Sequence, residues 1–242
     1  FYSTLLIQIY TKFRKSRDSD IHMKFATDWC EKNQISADKC LSNLGIPENE
    51  LNTEAAFDDV YQFKINEVID KSQSNFGGPG HVDLIYTICE RLKIKNAIET
   101  GVAYGWSSAA ILRSLSKRNG RLISVDMPML KQSDYHLIGV AVESELQPYW
   151  ELRREPDRFA LPRAMKKMNG SLEFVHYDSD KSYYGRKWSQ EIIWKNLIRG
   201  GIFVSDDIED NEAFMEFVAL HKLRFNIVKC DGKFVGVIKK EV

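Results

Sequence analysis

The sequence predicts an α/β protein, a doubly wound, mostly parallel sheet closed by an antiparallel C-terminal hairpin and preceded by a helical N-terminal extension. Three observations predict this. Strand-length apolar runs alternate with helical stretches after residue 76, the pattern of βαβ units. Asp231-Gly232 separates two such runs near the end of the chain, a strong short hairpin signal. Earlier, apolar residues recur every three to four positions, as on one face of a helix.

That helical spacing runs through Phe1, Leu5, Leu6, Ile9, Tyr10 and Phe13, and again through Phe57, Val60, Tyr61, Ile65, Val68 and Ile69, with the polar stretch 47–52 between them. Residues 1–75 are therefore expected to be a helical extension or cap. The breaker cluster Asn75-Phe76-Gly77-Gly78-Pro79-Gly80 marks the boundary, and residues 76–242 are expected to form the main domain. Its strands are expected at 96–100, 121–126, 150–154, 172–177, 201–205, 225–230 and 233–238. Between the second and third of these, the stretch 128–148 is longer than a simple connection and is a candidate flap.

Composition narrows the partners. The 34 basic and 34 acidic residues balance, so no global field would hold the chain on nucleic acid or an anionic membrane. A small polar substrate fits better. No apolar run approaches the roughly 18 residues of a membrane span. Cys30, Cys40, Cys89 and Cys230 are far apart and form no CxxC pair, which argues against a zinc site or a dense disulfide framework. Free thiols in a reducing cytoplasm are the expectation. The absent initiating Met points to trimming or an upstream segment.

The most informative segment is Glu99-Thr100-Gly101-Val102-Ala103-Tyr104-Gly105-Trp106-Ser107-Ser108, a strand entering a glycine-bearing turn and then a helix. Glycine at 101 and 105 lets a ligand approach the backbone, and the free N–H groups of the helix start favour an anion. Ser107 or Ser108 is the expected cap. The next strand ends in Asp126, where an acid is placed to bind ribose hydroxyls. A dinucleotide fingerprint would read GxGxxG, whereas this loop reads ExGxxxG and lacks the paired glycines that seat a pyrophosphate.

Acidic residues also gather at the strand tips. Asp178 and Asp180 follow the fourth expected strand, and Asp206 and Asp207 end the fifth. Carboxylates converging there would repel, and Mg²⁺ or a similar hard cation would neutralise them. The alternative is a polar cap before the helix expected near Asn211. Lys181 reads either as a partner of Asp178 or Asp180, or as a general base made less basic by a nearby cation. His176 and Met127 read as packing residues.

Together these residues resemble the class I S-adenosylmethionine (SAM)-dependent methyltransferases, in particular the catechol-type and related metal-dependent O-methyltransferases. The likeness covers about 76–240. It rests on the 99–107 loop, on Asp126, on Asp178-x-x-Lys181 with Tyr183, and on Gly200-Gly201-Ile-Phe-Val-Ser-Asp206-Asp207. The resemblance implies a Rossmann-like sheet of seven strands. It also implies SAM held by Glu99, Gly101, Gly105, Trp106, Ser107, Asp126 and Asp157, with Asp157 or Arg158 facing the adenine. Asp178, Asp206 and Asp207 would be Mg²⁺ ligands, with Lys181 and Asp178 catalytic. Many close relatives carry His where this chain has Lys181. The implied reaction is methyl transfer to a hydroxyl of a small molecule in the cytoplasm. The N-terminal helices would cap the site or pair subunits in a homo-oligomer. Two rivals remain: an NAD-dependent oxidoreductase, disfavoured by the loop spacing, and a non-catalytic SAM-binding module.

Overall fold

A computed structural model describes residues 17–47, 65–67, 69–70, 76, 78–128 and 135–241. The described chain runs α1 (Asp20–Asn33), β1 (Gln34–Ile35), α2 (Ala37–Asn43), α3 (Val82–Arg91), β2 (Asn96–Thr100), α4 (Trp106–Leu115), β3 (Arg121–Val125), β4 (Trp150–Arg153), α5 (Asp157–Met168), β5 (Leu172–Tyr177), α6 (Tyr183–Asn196), β6 (Leu197–Ser205), α7 (Ala213–Leu220), β7 (Asn226–Cys230) and β8 (Lys233–Lys239). The strands form one sheet in the order β1-β7-β8-β6-β5-β2-β3-β4. β8 is antiparallel to both β6 and β7, and the remaining pairs are parallel. The strand order reverses beside β2. In such sheets that is where a crevice opens at the C-terminal strand ends.

Helices cover both faces, so the central strands are apolar on both sides, as a parallel sheet requires. One face packs Ala97, Phe174, Ile202 and Val204 against α3 and α4. The other packs Ile98, Ile123, Val175 and Phe203 against α5, α6 and α7. Asp231 and Gly232 at the hairpin tip both take positive φ, 49° and 82°, the backbone of a type I′ turn.

The sheet has eight strands among the described residues, one more than the seven expected. The extra one is β1, two residues paired parallel to β7 through Gln34 and Ile35. A pair so short carries no periodicity. The amphipathic pattern of residues 1–13 lies outside the described residues, as does most of the 57–69 pattern. Of the latter, 65–67 and 69 are helical, Ile65 is buried, and Ile69 packs on the same core. The described N-terminal segment joins that core too, through Cys40, Leu41 and Leu44. All four cysteines are free thiols. No described helix is long and apolar enough to cross a membrane.

Candidate active site

The site begins where β2 turns into α4. Gly101 takes φ +79°, and a Cβ there would collide with the backbone carbonyl of Asp178. Its N–H donates to the Val125 carbonyl at 2.8 Å. Gly105 takes φ +87° and would press a Cβ to 2.8 Å from the Gly139 Cα. Glycine at 101 and 105 thus lets three chain segments meet without side chains between them.

Gly105 itself is the N-cap of α4, so the expected serine cap is corrected. Ser107 and Ser108 fall inside the first turn and turn their hydroxyls toward Glu99. Glu99 is fully buried. It accepts from Ser107 Oγ at 2.6 Å, from Ser124 Oγ at 2.7 Å and from Ser108 Oγ. The imidazole Nδ1 of His176 stands 3.4 Å away. A buried carboxylate needs such a shell of donors, and this one ties β2, β3, β5 and α4 together beneath the glycine loop.

A cavity of about 470 Å³ opens beside the loop, bounded by Gly101, Asp126, Met127, Ile138, Asp157 and Asp178 among others. Asp126, just past β3, is mostly buried, which raises its pKa against the opposing pull of Arg154. The Arg154 Nε lies 3.6 Å from its carboxylate. Asp157 opens α5, and its carboxylate accepts from Ser179 Oγ at 2.5 Å. Burial pushes its pKa up to about 6. Met127, read as packing, lines this cavity. Ile138 belongs to the long 128–148 connection, where Gly139 and Ala141 donate N–H groups to the carbonyls of Ala103 and Tyr104. The candidate flap is thus stitched to the glycine loop. Its residues 129–134 lie outside the described residues.

A second cavity of about 420 Å³ shares Phe76, Gly101, Ala103, Asp178 and Lys181 with the first and extends toward Trp106, Ser107, His81 and Lys233. Here the expected metal ligands gather, but they do not fit a divalent ion. The Lys181 ammonium lies 3.0 Å from Asp178 Oδ1 and is also paired with Asp207. Lys233 approaches Asp207 at 3.4 Å. Asp206 faces His176 Nε2 at 3.2 Å. The protein's own cations therefore divide the three carboxylates, and among the described residues no group of three acidic, His or Cys side chains is arranged to hold a metal.

The same contacts surround Lys181. Burial favours the neutral amine, but Asp178 and Asp207 outweigh it and hold its pKa above the ordinary value. These contacts favour the protonated ammonium and agree with the reading of Lys181 as a partner of Asp178. For Asp207, burial opposes ionisation, yet Lys181 holds its pKa below the usual range. Burial likewise disfavours charge on His176, and Asp206 and Glu99 override it.

Three residues of this site escaped the sequence reading. Arg186 on α6 is fully buried and donates to the carbonyls of Asp206 and Asp207, both at 2.8 Å, which fixes the turn after β6. Its only signal was an arginine within an otherwise ordinary helical pattern. His81 and Lys233 reach the second cavity from the starts of α3 and β8, where nothing local marks them.

Residues 98–208 match the family model described as a methyltransferase domain. No curated protein matches the sequence. Among solved structures, the fold is similar to an O-methyltransferase from Bacillus cereus in complex with S-adenosylhomocysteine (SAH), at 15% identity, covering 87% of this chain and 100% of that one with TM-score 0.57. It is also similar to a methyltransferase from Geobacter sulfurreducens, at 13% identity, 83% and 97% coverage and TM-score 0.58. A third is the O-methyltransferase TomG from Streptomyces achromogenes, involved in tomaymycin synthesis and solved with SAM, at 14% identity, 76% and 91% coverage and TM-score 0.54. Residues 98–208, somewhat less than half of the chain, thus resemble a methyltransferase domain, and the doubly wound sheet with its glycine loop shares the fold of the solved methyltransferases named above.

Proposed function

We propose that the chain transfers the SAM methyl group to a hydroxyl oxygen of a small molecule. The observation that carries this reading is the pair of cavities meeting at one wall, Gly101, Asp178 and Lys181. One is suited to the nucleoside of the donor, and the other, lined by Trp106 and Ser107 as well as by Lys181, to its methionine end and an acceptor. Two of the structural relatives named above are O-methyltransferases, which agrees with an oxygen acceptor.

In this reading Asp126 receives the ribose hydroxyls, and Asp157 and Arg158 lie toward the adenine. Gly101, Gly105, Trp106 and Ser107 border the methionine end, with Glu99 shaping the loop from beneath. Transfer is an in-line displacement, in which a hydroxyl oxygen forms the new C–O bond as the C–S bond of the sulfonium breaks. The protein contributes mainly alignment. An ammonium has three N–H donors, and Lys181 directs its charge at Asp178 and Asp207. A donor left over can hold the acceptor oxygen and steady the negative charge that develops on it. No step runs through a metal, since Lys181 already occupies the space between the carboxylates.

The test is calorimetric titration of SAH into the protein, followed by transfer of the radiolabelled SAM methyl group to a panel of hydroxylated small molecules. Binding and base-stable labelling of a hydroxyl compound are expected. Absence of SAH binding would overturn the reading.

A further inference from the structure

With Lys181 held as a cation, the pocket still needs a group to receive the hydroxyl proton. From the geometry of the acceptor cavity we infer that His81 is that group, a catalytic residue whose Nε2 hydrogen-bonds the acceptor hydroxyl and takes its proton as the methyl group arrives. The inference rests on the methyl-transfer reading above.

His81 immediately follows Gly78-Pro79-Gly80 and stands at the N-cap of α3, yet its side chain makes no capping bond. The residue is 8% exposed and lines the acceptor cavity with Trp106, Ser107, Asp178 and Lys181. Its Nε2 is buried with no hydrogen-bond partner among the described residues. An unpartnered ring nitrogen in a polar cavity is costly, and a ligand hydroxyl would satisfy it.

The facing groups are Asp206 and Asp207 at the end of β6, His176 on β5 and Asp231 at the hairpin tip, with Lys181 and Lys233 on the same wall. Burial dominates and lowers the pKa of His81 despite the nearby aspartates, with His176 adding to the effect. The imidazole therefore stays neutral at physiological pH and can accept a proton. In the step itself, an oxygen lone pair forms the O–CH₃ bond and the C–S pair returns to sulfur. The O–H proton passes to Nε2 and then to solvent. Lys181 steadies the oxygen throughout but does not take its proton.

The test uses ¹⁵N-histidine-labelled full-length protein saturated with SAH, with 3,4-dihydroxybenzoate as the hydroxyl probe. His81→Asn assigns the signal. The expected result is a neutral imidazole at pH 7 whose Nε2 resonance moves on addition of the probe. In His81→Asn, probe binding should weaken about tenfold, the loss of roughly one hydrogen bond, with SAH affinity unchanged. A resonance that the probe leaves in place, or a variant that binds the probe as the wild type does, overturns the inference while leaving the cofactor reading intact. A wild-type protein that fails to bind SAH removes both.

Discussion

Gly101→Ala should damage the protein far more than Gly200→Ala, although the two glycines have nearly the same backbone. Gly101 sits at φ +79° and Gly200 at φ +81°, so alanine meets a similar left-handed penalty of about 1–2 kcal/mol at each. The surroundings differ. At Gly200 a Cβ meets nothing within 4 Å, whereas at Gly101 it collides with the Asp178 carbonyl. Relief would move the turn after β5 and strain the bond from Asp178 N–H to the Thr100 carbonyl, 2.9 Å long and worth about 1 kcal/mol. With about 1–2 kcal/mol of overpacking strain from the collision itself, the total at Gly101 is about 3–5 kcal/mol. At roughly 2–4 °C per kcal/mol for a chain of this size, thermal unfolding should fall by about 2–8 °C for Gly200→Ala and by about 6–20 °C for Gly101→Ala. Differential scanning calorimetry reads the melting, and titration with SAH reads the site, where only Gly101→Ala should lose binding. Equal losses for the two variants, with SAH affinity retained in both, would refute the proposed contact between the loop and the β5 turn.

Replacing Lys181 with Ala removes the ammonium between Asp178 and Asp207. The freed carboxylates should then take up Mn²⁺ in a calorimetric titration at least about tenfold more tightly than the wild type does, and equal affinities would contradict the charge assignment. Asp157→Asn addresses pH. Because burial raises this carboxyl from its ordinary 3.8 to about 6, the folded state binds the extra proton. The stability this gives is present below pH 4 and is lost as pH rises toward 6. The interval corresponds to about 3 kcal/mol. Urea unfolding at pH 4 and pH 7 should therefore show the Asn variant gaining on the wild type at the higher pH, and a constant difference would remove the assignment.

The architecture was legible because its signals are local. β2 and β5 follow the expected bounds, since buried parallel strands read as short apolar runs ended by turn residues. β6 begins at Leu197, ahead of the expected Gly201, because a register irregularity opposite β5 lets Arg199 and Gly200 interrupt the apolar run. The edge where the first cavity opens was legible for a related reason: Gly101, Asp126 and Asp178 each follow the last residue of a strand, and topology brings strand ends together. Of the charge pairing there, Lys181 with Asp178 was one of the alternatives read, but its second partner, Asp207, was not legible. Whether an aspartate faces a metal or a lysine depends on side-chain direction across β5 and β6, and that has no sequence period. The role of Arg186 was hidden in the same way, since its carbonyl partners carry no identity in the sequence.

One network links the two cavities. Glu99 anchors the glycine loop through Ser107 and Ser108, His176 stands between Glu99 and Asp206, and Asp206 borders the second cavity. A charged His176 joins two carboxylates that would otherwise repel. Its pKa in the fold is raised well above the ordinary value, chiefly by Asp206 and Glu99 working against burial. The stability it contributes is fully present below about pH 6.5 and is lost only as pH climbs through the higher folded value. At neutral pH the link is therefore intact. His176 thus stands between the glycine loop and the second cavity, while burial in that cavity favours the neutral form of His81, whose Nε2 has no hydrogen-bond partner among the described residues. Two histidines of equal intrinsic basicity are thus pushed in opposite directions, His176 upward by Asp206 and Glu99 and His81 downward by burial.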